Sequence, residues 1–232
     1  MKKHQIKLRD DIDVKLIYDE LNKSNEDFKK SFYNENGKAV NATEMWTQAH
    51  GDLTKQNSYK KAFSQNSFYH ASAISLIQVE RPDLSKNSAY IATIPHPDPD
   101  DSKRTNLKDC LLPGMFMKDY IDQFPHTQNF LTWFINEFGG EFARAMFYKL
   151  PPKRDVRIHK DTGVYFKDKD RFHLVISGKY YYIVNKEDKK EYNEGDLWWF
   201  NNKTWHKSYN HGEIDKINLV FDVYKSNWRE MI

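Results

Sequence analysis

The sequence contains a single cysteine, Cys110, and this scarcity excludes two kinds of site. One cysteine cannot form an internal disulfide, and it cannot supply the several thiolates of a structural zinc site. Its neighbours offer no partner for a reactive thiol, so we expect a buried structural one. Long apolar runs are also missing, since none approaches the ~20 residues of a membrane-spanning helix. The polar start, Met1–Gln5, lacks the apolar segment of a secretory signal, and we expect a cytoplasmic protein that does not associate with membranes.

A strong excess of one charge is absent as well. The chain has 36 basic and 33 acidic residues, a net charge of +3. This mixed balance argues against a nucleic-acid partner, because such partners favour a basic stripe. Aromatic residues, in contrast, make up 15% of the 232 residues, which excludes a disordered chain and suffices for a sizeable core.

Hydrophobic spacing predicts helices early in the chain and strands later. Residues 11–31 and 127–138 have helical periodicity, and the second helix is expected to start with Thr127 as its N-cap and to stop at Gly139 and Gly140. Residues 71–79 suit a strand or a short helix, and the prolines of 93–106 predict an extended loop. Short β-branched and aromatic segments predict strands at 142–150, 156–158, 171–177, 180–185, 196–200 and 214–224.

This order of elements predicts a mainly β fold with flanking helices. We expect residues 106–232 to form a double-stranded β-helix (jelly-roll, cupin-like) core. Residues 1–105 would then form a helical or irregular region that flanks the core and shapes the substrate pocket.

Three residues of the predicted core have the chemistry of a metal site. His159 and Asp161 are two apart, so on a strand both side chains point to the same face. His206 follows 206 − 161 = 45 residues later, and we expect it at a strand edge, arriving from a distant strand across the barrel. Two imidazoles and one carboxylate form the facial triad of non-haem iron(II) oxygenases, which leaves positions open for a co-substrate and O₂.

Other readings of these histidines remain open. His159 and Asp161 by themselves would more often be a surface ion pair. A second H-x-D, at His96 and Asp98, is interrupted by prolines that disfavour a strand, and His211 competes with His206 from a turn.

Iron sites of this type commonly use 2-oxoglutarate, whose second carboxylate needs a fixed cation. Lys216 follows His206 by 216 − 206 = 10 residues and would project into the pocket as a point charge. Arg171 and His173 form a second same-face pair, in which the arginine would clamp a carboxylate.

The second half of the chain resembles the aspartyl/asparaginyl β-hydroxylase family of 2-oxoglutarate- and iron(II)-dependent oxygenases. The resemblance runs from about Phe130 to Tyr224 and rests on the order and spacing of several motifs: Leu150-Pro151-Pro152, Arg157 to Asp161, Arg171 to Leu174, Glu194 to Asp196, Phe200 to Asn202, Trp205-His206 and Leu219 to Asp222. It implies that His159, Asp161 and His206 bind iron. It also implies that Arg171, His173 and Lys216 hold 2-oxoglutarate, with a further hydroxyl from Tyr148.

Two departures refine this resemblance. The family usually has arginine where this chain has Lys216, which keeps the charge and loses the bidentate geometry. Animal peptide-directed members lack the carboxylate ligand that Asp161 supplies, so the chain is more similar to bacterial-type members, which include hydroxylases of free amino acids such as proline.

The resemblance implies a dioxygenase that hydroxylates an unactivated C–H bond and releases succinate and CO₂. Its expected substrate is an amino acid, free or as an Asp, Asn or Pro residue of a peptide or protein. Two alternatives come from other classes: a non-catalytic cupin-like binding module, and an oxygenase that modifies nucleic acid or a ribosomal component.

Overall fold

A computed structural model describes residues 3–24, 28, 72–78, 115–116, 122–161 and 166–230. Within these residues the chain forms two helices, α1 (Lys15–Lys23) and α2 (Pro125–Phe138), and eleven strands. The strands are β1 (Gln5–Arg9), β2 (Ser72–Gln78), β3 (Met115–Phe116), β4 (Glu141–Leu150), β5 (Asp155–His159), β6 (Lys169–Ser177), β7 (Tyr180–Val184), β8 (Asp188–Tyr192), β9 (Leu197–Phe200), β10 (His206–Tyr209) and β11 (Lys216–Tyr224). A 3₁₀ turn at Trp228–Glu230 follows.

The strands form two antiparallel sheets with the connectivity of a jelly roll. The large sheet has the order β1-β9-β6-β11-β4-β2-β3, and the small sheet has the order β5-β10-β7-β8. Strands β4 to β11 cross repeatedly between the two sheets, which closes them into a double-stranded barrel. The predicted mainly β, cupin-like fold is therefore confirmed.

Alternation along the strands of the large sheet separates its two faces. Phe172, Leu219 and Phe221 point to one face and join a core with both helices. Phe134 of α2 centres this core, with its ring 4.8 Å from the ring centroids of Phe172 and Phe221. The other face looks into the barrel, where a second cluster of mostly aromatic residues fills the space between the sheets: Val175, Tyr180, Tyr182, Val184, Tyr192, Trp198 and Phe200.

Three strands from the first half of the chain, β1, β2 and β3, belong to the large sheet. β1 pairs with β9, and β2 pairs with β4, both antiparallel. The segment at 71–79, predicted as a strand or a short helix, is thus a strand. The boundary that we placed at residue 105 stays a prediction.

The helix boundaries differ from the predicted ones. α1 is shorter than the predicted 11–31, because Ser24 has an extended backbone that ends it. α2 begins at Pro125 with Phe124 as its N-cap, so the prediction of Thr127 as the cap is wrong. The carboxylate of Glu20 instead accepts hydrogen bonds from the backbone N–H groups of His126 and Thr127, each 2.7 Å long. The predicted stop is confirmed, since Gly139 ends α2 with a positive φ of 69°.

Several predictions fall outside the described residues. These are the loop at 93–106 with its His96 and Asp98 motif, and the buried thiol of Cys110. In the part of the chain that the structure describes, neither helix has the length and apolar character needed to cross a membrane.

Candidate metal centre

His159, Asp161 and His206 lie together at one end of the small sheet. His159 is the last residue of β5 and His206 the first of β10, and the two are directly paired in the antiparallel register. Their ring centroids are 4.2 Å apart, and one ligand atom from each of the three residues lies within 4.8 Å of the others. The expectation that His206 arrives from across the barrel is wrong, since β10 is the immediate neighbour of β5. Its place at a strand edge is as expected.

The side chain of Asp161 is held by two donors on one oxygen. Oδ2 accepts hydrogen bonds from Arg171 Nη1 at 2.6 Å and from Asn202 Nδ2 at 2.9 Å. The backbone N–H of Asp161 donates in turn to the carbonyl of Asn202. Oδ1 faces His159, 3.8 Å from its Nε2. Burial raises the pKa of Asp161, but the charge of Arg171 and the other favourable contacts outweigh burial and hold the pKa below its ordinary value. Asp161 is thus an ionised carboxylate with Oδ1 directed at the histidines.

The ring of His206 is fixed in the tautomer that a metal requires. Its Nδ1 lies 2.8 Å from the carbonyl oxygen of Thr204, which can only accept, so Nδ1 carries the proton. Nε2 then keeps a lone pair for an ion, as in the common outer-shell arrangement of metal-binding histidines. Burial and the neighbouring His159 lower the pKa of His206 to about 3, so the ring is neutral at physiological pH.

Lys216 lies inside the barrel with its amine buried. It is 1% exposed, its Nζ donates to Ser208 Oγ at 3.2 Å, and Nζ lies 3.6 Å from the centroid of the Tyr180 ring. Among the residues that the structure describes, no carboxylate forms an ion pair with it. Burial holds the pKa of Lys216 well below its ordinary value.

Polar atoms without a partner accompany this lysine. His173 packs edge-on against Tyr182 and Phe200, and its Nδ1 is buried with no hydrogen bond to any described residue. The same holds for Oδ1 of Asn218, whose Nδ2 donates to the Tyr180 hydroxyl at 2.9 Å. Burial, together with the charges of Lys216 and Arg171, lowers the pKa of His173 well below its ordinary value. The interior thus offers a buried lysine amine and several polar atoms, an environment suited to a carboxylate, which would also favour the charged form of the lysine.

Arg171 is engaged with two carboxylates. Its Nε and Nη2 donate to the two oxygens of Asp222 at 2.7 and 3.0 Å, while Nη1 reaches Asp161. Asp222 therefore occupies the bidentate edge that was expected to clamp a carboxylate of the co-substrate. Tyr148 is partly buried beside Met146 and Val220. The roles of Arg171, His173, Lys216 and Tyr148 in holding a co-substrate stay predictions.

Sequence reasoning assigned no role to three residues that the structure places around these groups: Arg144, Asn202 and Asp222. Asn202 and Asp222 lie within motifs that carry the resemblance, and a lone carboxylate in the apolar strand Leu219 to Val223 was a usable signal. Arg144 had no local signal, because its contact with Asp222 spans 78 residues. The competing His211 lies elsewhere, stacked on Tyr181 with ring centroids 4.3 Å apart.

Fold and site together define a jelly-roll protein with a His-Asp-His cluster that can hold a metal ion. The model of the aspartyl/asparaginyl beta-hydroxylase family matches residues 13–226, so the chain belongs to this family of hydroxylases. This span is wider than the one in which the motifs lie, and the resemblance seen in the sequence is confirmed.

Several solved structures are similar to about a third of the chain. A predicted oxalate decarboxylase from Thermotoga maritima is 19% identical over 36% of this chain and 67% of its own, with a TM-score of 0.31. The cupin domain of an XRE family transcriptional regulator from Enterobacter cloacae is 12% identical over 35% and 80%, also with a TM-score of 0.31. The Cnp3 cupin domain of Schizosaccharomyces pombe is 12% identical over 37% and 64%, again at 0.31. No curated protein matches the sequence.

Proposed function

We propose that the protein is an iron(II)- and 2-oxoglutarate-dependent dioxygenase that hydroxylates an unactivated C–H bond of an amino acid. The observation that carries this proposal is the pairing of a His-Asp-His cluster with a buried lysine that has no carboxylate partner among the described residues. A dicarboxylate that also chelates a metal would satisfy both features at once.

The three candidate ligands fit iron(II). Two neutral imidazole nitrogens and one carboxylate oxygen are the donor set of the non-haem facial triad. His206 has its Nε2 lone pair available, and Asp161 has one oxygen already held by outer contacts. Both ligands are therefore oriented before any ion binds.

The interior residues fit 2-oxoglutarate. Lys216 would pair with the carboxylate distant from the metal, and Ser208 and Tyr180, which already contact the lysine, would border the same carboxylate. A charge-assisted hydrogen bond of this kind is stronger than a neutral one. Tyr148, which is paired with Asn218 in the sheet register, would add its hydroxyl. His173 would meet the co-substrate through an imidazole that burial keeps neutral.

When bound, iron(II), 2-oxoglutarate and O₂ would together supply the oxidation: the co-substrate would lose CO₂ and take up one oxygen atom to become succinate, and the substrate would gain the other oxygen atom. The chain's own residues hold and shield this chemistry. Tyr182 and Phe200 pack around His206 and keep water from its inner side. Lys216 and the triad fix the two ends of the co-substrate, which leaves the barrel mouth beside His159 for the substrate.

The proposed substrate is an amino acid, either free or as an Asp, Asn or Pro residue of a peptide. Membership of the family supports this substrate class. The carboxylate of Asp161 favours the free amino acid, because this ligand is a feature of the bacterial-type members that the sequence resembles.

Replacement of one ligand tests the proposal. His206→Ala should abolish turnover of 2-oxoglutarate to succinate, because the metal loses an imidazole that no other described residue replaces. His211→Ala is the matched control, since its ring stacks on Tyr181 away from the cluster, and its turnover should match the wild type. Full turnover by His206→Ala would refute the metal assignment.

The substrate is sought in the same assay. The wild-type protein is incubated with iron(II), 2-oxoglutarate and each standard amino acid, and the products are examined by mass spectrometry for one added oxygen atom. Addition to none of them would turn the proposal toward peptide substrates.

A further inference from the structure

Four buried charged residues, connected by hydrogen bonds, extend from strand β4 to the His-Asp-His cluster. Arg144, Asp222 and Arg171 are direct cross-strand neighbours on β4, β11 and β6. Asp222 Oδ2 accepts from Arg144 Nη2 at 2.9 Å, and both oxygens of Asp222 accept from Arg171. Arg171 Nη1 then donates to Asp161 at 2.6 Å. We call this set the arginine relay.

Burial makes the arginine relay rigid. Asp222 is 1% exposed and Arg144 4% exposed, so water does not compete for their hydrogen bonds. The planar guanidinium group of Arg171 donates hydrogen bonds from two nitrogens to Asp222, and this fixes the position and the plane of the guanidinium. The Phe166 ring lies 5.1 Å from Arg171 Cζ and 5.9 Å from Arg144 Cζ, and covers both guanidinium groups. The direction in which Arg171 Nη1 points is therefore set by Asp222.

We propose that Arg171, fixed by Asp222 and Arg144, acts as a positioning residue that aims Oδ1 of Asp161 at the metal. Arg171 and Asn202 both bind Oδ2, so Oδ1 is the oxygen directed toward the histidines. This arrangement favours one-oxygen ligation by Asp161 and keeps the other positions of the metal open. The inference rests on the proposed function, because it takes Asp161 to be a ligand. It differs from the role that the resemblance implied for Arg171, which was to grip 2-oxoglutarate.

Binding of cobalt(II) in the absence of 2-oxoglutarate separates the two roles. Outer-shell partners of metal ligands typically contribute about 10- to 100-fold to metal affinity. Arg171→Lys keeps the charge but can reach only one of the two carboxylates, and Asp222→Asn replaces one acceptor oxygen of the bidentate grip with a donor. We expect each variant to bind cobalt(II) about 10- to 100-fold more weakly and to shift its visible absorption, as the carboxylate no longer holds its position.

Asp170→Asn is the matched control. Asp170 precedes Arg171 on β6 but points to the opposite face, where it pairs with Arg229. Its loss should lower stability and leave cobalt(II) affinity within about twofold of the wild type. Thermal unfolding establishes that each variant is folded, and if Asp222→Asn does not fold, Arg171→Lys decides the question alone.

Two outcomes overturn the proposal in distinguishable ways. If Arg171→Lys binds cobalt(II) as the wild type does and only its affinity for 2-oxoglutarate falls, Arg171 is a co-substrate clamp and the proposed function stands. If the wild-type protein binds no cobalt(II), the metal centre itself fails, and the positioning role fails with it.

Discussion

Replacing Lys216 with methionine should change stability and co-substrate binding in opposite directions. Lys216 is 1% exposed and burial holds its pKa well below the ordinary value. Methionine has a similar length and no charge, so Lys216→Met removes the cost of burying an ammonium group and fills the same space. The ligand-free variant should be more stable than the wild type, while 2-oxoglutarate should lose the cation that holds it.

Both effects have a calculable size. Burial of a polar group without full compensation costs about 1–3 kcal/mol, and a gain of only ~1 kcal/mol raises the melting temperature by about 2–4 °C in a chain of this length. Removal of one partner of a buried charge pair costs about 2–5 kcal/mol, and ~3 kcal/mol corresponds to a ~150-fold weaker dissociation constant.

The stability gain also has a defined pH dependence. Because the pKa of Lys216 is lower in the folded than in the unfolded protein, the unfolded state binds more protons, and wild-type stability rises with pH between the two values. The pKa of Lys216 in the unfolded protein is near the ordinary lysine value of 10.5. The advantage of Lys216→Met should therefore be greatest at low pH and should vanish as the pH approaches that value.

Thermal unfolding without ligands at about pH 7 and about pH 9 measures the first effect, and titration of 2-oxoglutarate into the manganese(II)-loaded protein measures the second. Lys149→Met is the matched control, since Lys149 lies on the neighbouring strand β4, is 30% exposed and lies 3.7 Å from Asp215. The affinity of the Lys149→Met variant for 2-oxoglutarate should equal that of the wild type. A destabilised Lys216→Met, or one that binds 2-oxoglutarate normally, would refute the reasoning.

Two further predictions concern the packing around the barrel. Asp170 accepts hydrogen bonds from Arg229, Trp199 and Trp228; burial raises its pKa, but these contacts outweigh burial and hold the pKa below 3.8. The ionised carboxylate of Asp170 therefore stabilises the fold above pH 3.8, and this stabilisation is lost as the pH falls through the lowered pKa of the folded protein. Denaturant unfolding should show Asp170→Asn to be about 1–3 kcal/mol less stable than the wild type at neutral pH. This difference should shrink below about pH 4. Phe134→Ala should lower the free energy of unfolding by about 3–5 kcal/mol, because the ring is fully buried and packs against Phe172 and Phe221. As a control, Asn136→Ala at an exposed position of the same helix should change it by less than about 0.5 kcal/mol. Equal effects at the two positions would contradict this account of the core.

Strands with a buried face were predictable because their residue types carry the signal. The predicted strands 142–150, 171–177 and 214–224 agree with β4, β6 and β11 to within two residues at each end. These strands are rich in aromatic and branched residues because one side of each packs under the helices. The two-residue period also predicted that Arg171 and His173 share a face, and both are buried on the face that looks into the barrel.

Edge strands escaped prediction because they carry little hydrophobic signal. β8 is Asp188–Tyr192, and Tyr192 is its one buried residue. β1 and β8 are the outermost strands on one side of their sheets, where polar residues meet solvent. The cap of α2 was missed for a different reason. Glu20 lies 106 residues before His126, and no local pattern links a carboxylate to a helix so far along the chain.

Asp222 illustrates where sequence reasoning about the site could have gone one step further. A buried carboxylate is costly unless cations and donors surround it. An aspartate inside an apolar strand therefore requires partners at the same level of the neighbouring strands. Lys216 and Asp222 are an even number of residues apart on β11, so both point to the interior face. Each of the two strands that flank β11 carries an arginine. Which arginines lie opposite Asp222 depends on how the strands pair, and the sequence of one strand does not reveal this. That a buried aspartate needs cations beside it, in contrast, can be expected from the residue type alone. The same requirement applies in reverse to Lys216, which has no carboxylate partner among the described residues, and this is the reason to expect that the barrel binds one.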